Sequence, residues 1–259
     1  MAFREKKMLQ KLIVKPATAQ PLFSLNMPGV DELFPGFALG EFAVLYGSPS
    51  VISLTSLLCV RAQLPVQLGG LGGNVVFIDG GNTFRLYNIA RLAQLHQLNP
   101  TETLKHIFIS RAFTAYQLTS LIMEKLEETV KTYNAKLVII SDIAWFFLDN
   151  DVPQEEAQRI YSQIVSYLSN FARKHQIVLI ATYLPYESNR RNSLLQEMTF
   201  AKVSTVVSFV KTKYMREVSL EKRPSFVLGT AELPSENLTL TDFMGDGGRQ
   251  KSLILSHVS

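Results

Sequence analysis

Five short, nearly unbroken apolar runs constrain the fold of this chain more than any other feature: residues 42–46, 75–79, 106–110, 137–142 and 177–183. A strand that shows one face to water alternates apolar and polar residues; these runs do not alternate, so both of their faces must be covered. A parallel sheet with helices on each side meets that demand. Helical spacing fills the gaps. Across 117–133, Leu118, Leu121, Ile122, Leu126 and Val130 share one face, with Glu124, Lys125, Glu127, Glu128 and Lys131 on the other. Across 155–175 the apolar stripe runs from Ala157 through Ile160, Ile164 and Leu168 to Ala172. Pro153, Glu155 and Glu156 suit its first turn, where an N–H is dispensable and acidic groups meet the positive end of the helix dipole.

Past Tyr183 the pattern changes. Residues 186–192 are polar and basic, and 201–210, 216–220 and 225–228 read as strands with no helix between them, which predicts antiparallel hairpins. The expected fold class is therefore α/β, a mostly parallel central sheet with flanking helices and an antiparallel edge near the C-terminus. With 259 residues, 47% of them apolar and 19% charged, the chain can bury one large core. The expected division is a basic N-terminal extension over 1–22, a core over 23–233 and a tail over 234–259, where Gly245, Asp246, Gly247 and Gly248 mark turns.

Charge and cysteine usage narrow the function classes. A net charge of +4 permits a polyanionic partner without requiring one. His96, His106, His175 and His257 stand far apart, and no cluster has metal-ligand spacing, so no metal is expected. Cys59 sits among Leu57, Leu58 and Val60 and is expected to be a buried, reduced thiol. In residues 1–15 basic and apolar side chains interleave, unlike a secretory signal, and no apolar run reaches the roughly 20 residues a membrane helix needs. A cytoplasmic protein with no membrane partner is expected.

The first apolar run leads into Gly47-Ser48-Pro49-Ser50-Val51-Ile52-Ser53-Leu54-Thr55 and then a Leu-rich helix, the context of a phosphate-binding loop with the pattern G-x-x-x-x-G-K-[ST]. Other segments fall in a recognisable order: Phe23 to Leu33, Pro35-Gly36-Phe37, Gly40-Glu41, Val76-Phe77-Ile78-Asp79, Asn82-Thr83-Phe84-Arg85, and Ser110-Arg111-Ala112-Phe113-Thr114. In this order and spacing, over about residues 23–234, the chain resembles the RecA/RadA recombinase superfamily, most of all its archaeal RadA-like and eukaryotic-type members.

Against that family's pattern the chemistry-bearing positions differ. Gly47 keeps the first glycine, but Ile52 stands at the second glycine, Ser53 at the lysine and Leu54 at the magnesium-binding hydroxyl. A β-branched residue resists the backbone conformations a phosphate cradle needs, serine brings no cation, and leucine brings no oxygen. The family's water-activating glutamate would follow Asp79 within two residues, where this chain has Gly80 and Gly81. Ser141 stands where the family's magnesium-serving aspartate would end the strand, and Asp142, one residue on, is expected to face the other way. A shifted loop using Thr55 is the alternative, and weak nucleotide binding stays open.

The resemblance also implies two DNA-binding loops. The first would follow Trp145-Phe146-Phe147-Leu148, which reads as core or as a subunit interface, and is acidic at Asp149 and Asp151. The second would run from Leu184 toward Met198 and carries Arg190 and Arg191; Lys211, Lys213, Arg216, Lys222 and Arg223 extend a basic stripe, with Tyr183, Tyr186 and Tyr214 as stacking faces. A solvated lysine-rich edge that blocks strand pairing is the competing reading. Residues 1–21 show neither a helical DNA-binding domain nor an oligomerisation phenylalanine motif, so long self-made filaments are not expected.

Together these readings predict a RecA/RadA-like paralogue that is not an ATPase, needs no cofactor, and binds single-stranded DNA as an accessory of recombination or repair. Its expected partners are an active recombinase or another paralogue, in a homo- or hetero-oligomer. Two alternatives are a structural subunit of an Elongator-like ring of RecA-fold chains, and an ATPase with an atypical loop.

Overall fold

A computed structural model describes residues 22–27, 29–212 and 216–233 of the chain. The five apolar runs become parallel strands β1 (Phe42–Gly47), β2 (Asn74–Asp79), β3 (Ile107–Arg111), β4 (Ala135–Ser141) and β5 (Val178–Tyr183). With β6 (Thr205–Lys211), β7 (Arg216–Lys222) and β8 (Gly229–Leu233) they form one sheet of order β3-β2-β4-β5-β1-β6-β7-β8. The pairings from β3 to β6 are parallel, and β7 and β8 add on antiparallel. The chain therefore has the α/β architecture of a RecA-like core.

Each central strand divides its residues between two cores, which is why the runs do not alternate in polarity. One face buries Val44, Val76, Val138, Ile140 and Leu179 under four helices: α5 (Ala115–Ser120), α6 (Leu126–Thr132), α8 (Gln154–His175) and α9 (Arg190–Lys202). A π-helical turn, Leu121–Lys125, joins α5 to α6. The other face buries Leu45, Val75, Phe77, Leu137, Ile139 and Ile180 under α2 (Val51–Arg61) and α3 (Leu86–Leu95). Phe23, Phe34 and Phe37 close that second core, so the lead-in to β1, including α1 (Val30–Leu33), is part of the fold. Each fully buried Leu, Ile or Val contributes on the order of 1.5–3 kcal/mol. Cys59 is fully buried among them, and burial pushes its thiol pKa up, as expected of an unreactive cysteine.

Smaller elements follow local chemistry. Asn99 caps α4 (Pro100–Lys105) by accepting from the N–H groups of Thr101 and Glu102, with Pro100 in the first turn. A short helix, α7 (Trp145–Leu148), follows β4.

The C-terminal third departs from the sequence reading in two places. Residues 184–189 have no regular secondary structure, but 190–202 form α9, because Asn189 accepts from the N–H of Asn192 and Leu195 and Thr199 pack inward; the expected strand over 201–210 thus begins only at Thr205. Residues 225–228 are a turn and not a strand, with Ser225 in the left-handed region at φ 65°, and pairing resumes at Gly229. The N-terminal extension up to residue 21, the tail over 234–259, and Lys213 and Tyr214 lie outside the described residues. Among the described residues no helix is long and apolar enough to cross a membrane.

Candidate nucleotide loop and basic rim

The phosphate-loop position lies at the C-terminal end of β1, between β5 and β6. Gly47 has φ 99°, and a Cβ there would stand 2.5 Å from the Phe209 carbonyl oxygen of β6, so glycine is required by both conformation and space. Beyond it the loop folds onto itself. The Ser48 N–H donates to the Phe209 carbonyl at 2.7 Å, Pro49 has no N–H, and the Ser50 N–H reaches the Ser48 hydroxyl at 3.4 Å. Val51, Ile52, Ser53 and Leu54 donate to the carbonyls of Ser48, Pro49, Ser50 and Ser50 at 3.0–3.3 Å.

A phosphate cradle works by aiming unspent N–H groups at the anion. From Ser48 to Leu54 every available N–H already has an acceptor inside the protein. The Leu54 side chain is buried, and the Thr55 hydroxyl, on which the shifted-loop alternative relies, is buried and donates to the Ile52 carbonyl at 2.8 Å. These residues do not fit a magnesium-bound triphosphate.

Beside the loop lies a cleft of about 560 Å³, walled by Met27, Leu54, Phe209, Val210 and Leu233, with Ser53, Lys211 and Arg216 also on its lining. Apolar side chains supply most of its surface, and Ser48, Ser50, Thr212 and Glu217 also line it.

The two other family positions are occupied by a polar hub that sequence reasoning missed. Asp79 is fully buried at the end of β2 and accepts from the N–H groups of Thr83 (2.7 Å) and Phe84 (3.3 Å), the Ser141 hydroxyl (2.8 Å) and the Arg111 guanidinium (3.2 Å). Ser141 is thereby committed to a neighbouring strand. A Cβ at Gly81 would stand 2.6 Å from Asp142 Cβ and 2.9 Å from its Oδ2, so no glutamate fits there without displacing Asp142.

Asp142 does not turn away as the alternation of a strand predicts. It lies one residue past β4 with φ 52°, and its N–H donates to the Thr182 hydroxyl at 2.8 Å. The carboxylate faces Gly81 on one side and accepts a short hydrogen bond from the Tyr186 hydroxyl on the other, leaving Oδ1 buried without a protein partner. Burial lifts its pKa from 3.8 to about 6. The folded state therefore holds this proton more tightly than the unfolded chain. The resulting stability is fully present below about pH 4 and is lost as pH rises to about 6. Urea denaturation across that window should show Asp142→Asn abolishing a decline of about 2–3 kcal/mol.

The basic side chains separate into three groups. Arg190 is exposed in the first turn of α9. Lys211 on β6 and Arg216 on β7 share the cleft with Ser53, one and two strand positions from β1. The others are used internally. Arg191 donates to the Phe147 carbonyl at 2.6 Å and the Val152 carbonyl at 2.9 Å, fastening the segment after α7. Lys222 donates to the Phe200 carbonyl at 2.6 Å. Arg223 is buried beside Glu41 at 3.4 Å, so it is a packing cation and not a solvent-facing ligand.

The aromatic expectations also change. Tyr183 is buried with its hydroxyl on Asn192, whereas Trp145, read as core or as a subunit interface, is 50% exposed with its ring 5.8 Å from that of Tyr186. Its position at the first residue of a four-residue helix just past a strand end was the available signal.

The family profile of Rad51 matches residues 31–193, well over half of the chain, from α1 through the segment that carries Asp79, Asp142 and Arg190. The order of segments, the RecA-like sheet and this match agree: the chain belongs to the Rad51 family, whose members generally serve homologous recombination and DNA repair.

Proposed function

We propose that this chain is a non-hydrolysing member of its family, an accessory that binds single-stranded DNA without an ATP cycle and assists an active recombinase or another paralogue. The observation that carries this reading is the closed loop: the donors that would hold a triphosphate are spent on the protein's own acceptors from Ser48 to Leu54. The absence of a cation at Ser53 and the lack of room for a carboxylate at Gly81 support it independently.

For DNA the exposed groups are Trp145 in the short helix after β4, Arg190 at the start of α9 and Lys211 at the end of β6. Arginine and lysine pair with phosphates, and an exposed indole offers a sequence-tolerant stacking face worth about 1–3 kcal/mol per base. Anisotropy of a labelled single strand, titrated at several salt concentrations, tests this. Affinity should be indifferent to MgATP. Arg190→Ala with Lys211→Ala should flatten the slope of log K against log salt by about 1.4, from about 0.7 per contact. Arg191→Ala should instead cost about 1–3 kcal/mol of stability and leave the slope alone, since it leaves two carbonyls unpartnered. An unchanged slope in the double variant rejects this DNA surface, and no binding at any salt favours a purely scaffolding subunit.

A further inference from the structure

Tyr186 stands between the exposed Trp145 and the buried Asp142 and touches both. Its hydroxyl donates to Asp142 Oδ2, and its ring centre lies 5.8 Å from that of Trp145 at 31°, inside the range of aromatic contact. The backbone and the far side of the ring are held as well. The Asn192 side-chain amide donates to the Tyr186 and Glu187 carbonyls at 3.4 and 3.1 Å, and the Tyr183 ring meets that of Tyr186 edge-on at 6.2 Å. Trp145 is tied to Asp142 through the main chain, its N–H donating to the Asp142 carbonyl at 3.2 Å. The exposed indole therefore rests against a phenol whose hydroxyl is tethered by a carboxylate.

That carboxylate loses its charge easily. It is 2% exposed, with Oδ1 buried and lacking a protein partner, and burial outweighs the Tyr186 bond to lift its pKa to about 6. The ionisable groups around it do not compensate. Tyr183 on β5 and Tyr161 on α8, like Tyr186, are phenols whose pKa values burial pushes up, so they stay neutral. Arg111 on β3 is spent on Asp79 of β2, and Arg191 on α9 is spent on the Phe147 and Val152 carbonyls. Asp149, Glu187 and Arg190, on the neighbouring segments, are exposed to solvent.

We infer that Asp142 and Tyr186 are positioning residues, whose mutual hydrogen bond holds the Trp145 ring as a stacking face for one base of a single strand. The role rests on the reading of this rim as a DNA surface. A hydrogen bond to an ionised group is roughly twice as strong as one between neutral groups, so ionised Asp142 fixes the Tyr186 ring and protonated Asp142 loosens it. A stacking face fixed beforehand gives up less freedom when a base lands on it. The stacking contribution is therefore full while Asp142 is ionised and falls as pH drops through about 6.

Trp145 is the one tryptophan of the chain, so the intrinsic fluorescence of the full-length protein reports this site. Titrated from about pH 7.5 to about pH 4.5, with circular dichroism checking the fold, wild-type emission should step with a midpoint near 6. The step should vanish in Asp142→Asn, which stays neutral throughout, and in Tyr186→Phe, which keeps the ring without the hydroxyl. Anisotropy of a labelled single strand at both ends of that range gives the second readout. Trp145→Ala should weaken binding at the upper pH by about 5- to 150-fold, the loss of one stacked base. Asp142→Asn should weaken it about two- to fivefold there and match the wild type at the lower pH, since the surface groups that titrate are common to both. A wild type with no emission step, or a step that persists in either variant, overturns the positioning role and leaves the DNA surface standing. Trp145→Ala binding as tightly as the wild type overturns the stacking face itself.

Discussion

Gly81→Glu, the substitution that would return a carboxylate to the family's water-activating position, is expected to lower stability by about 3 kcal/mol and to produce no ATP turnover. The cost has two parts. The new Cβ would meet Asp142 Cβ at 2.6 Å, and overpacking of this kind costs about 1–3 kcal/mol. The new carboxylate would also lie beside a buried carboxyl whose Oδ1 already lacks a partner, and like charges in such a site are disfavoured. Urea denaturation with a phosphate-release assay measures both outcomes. A variant as stable as wild type that hydrolyses ATP would mean that the closed loop opens readily and that residue 81 has room for a carboxylate.

Glu41→Ala should be more damaging, by about 3–5 kcal/mol, because it strands a buried cation. Glu41 precedes β1 and is 8% exposed; it accepts from the Ala38 N–H at 2.6 Å and from the Thr205 hydroxyl, and pairs with Arg223. Arg223 Nη1 is buried without a protein partner even in the intact pair, so losing Glu41 leaves the guanidinium with its ring contacts alone. Replacing both residues by methionine removes both charges, and its cost should fall well below the sum of the single losses in a double-mutant cycle. Additive losses would show that the two side chains act separately.

How much of this was legible in the sequence depended on what kind of interaction decided each element. Strands β1 to β5 were legible to within two residues, because burial on both faces writes itself into composition. Helix α8 was legible because its stripe is long and regular. Helix α9 was not: its apolar face is sparse, and what starts it is an Asn189 cap that a basic stretch conceals. The displaced start of β8 has a similar origin. Residues 225–228 have strand-like composition, but the inward pull on Arg223 and the left-handed Ser225 turn the chain there.

In the candidate site, the missing lysine and glutamate were legible because a motif compares residue with position. Whether a cation faces water or a carbonyl is a matter of distances that no motif contains. Arg190 and Arg191 are neighbours of one chemical type, yet one is exposed and the other holds two carbonyls. Arg223 reads as part of a basic stripe and lies inside. Asp79 looked like the end of a strand and is the hub joining β2, β3 and β4.

The self-satisfied turn at the head of α2 also bears on how long such a protein lasts in a cell. A chain whose loop waits open for its ligand draws about 4 kcal/mol of extra stability from ligand at a thousandfold excess over Kd, and surrenders it when the ligand is depleted. Here the same backbone groups are already bonded, so the folded population should be insulated from swings in energy charge. On the proposed reading, its thermal stability is expected to be the same with and without added nucleotide.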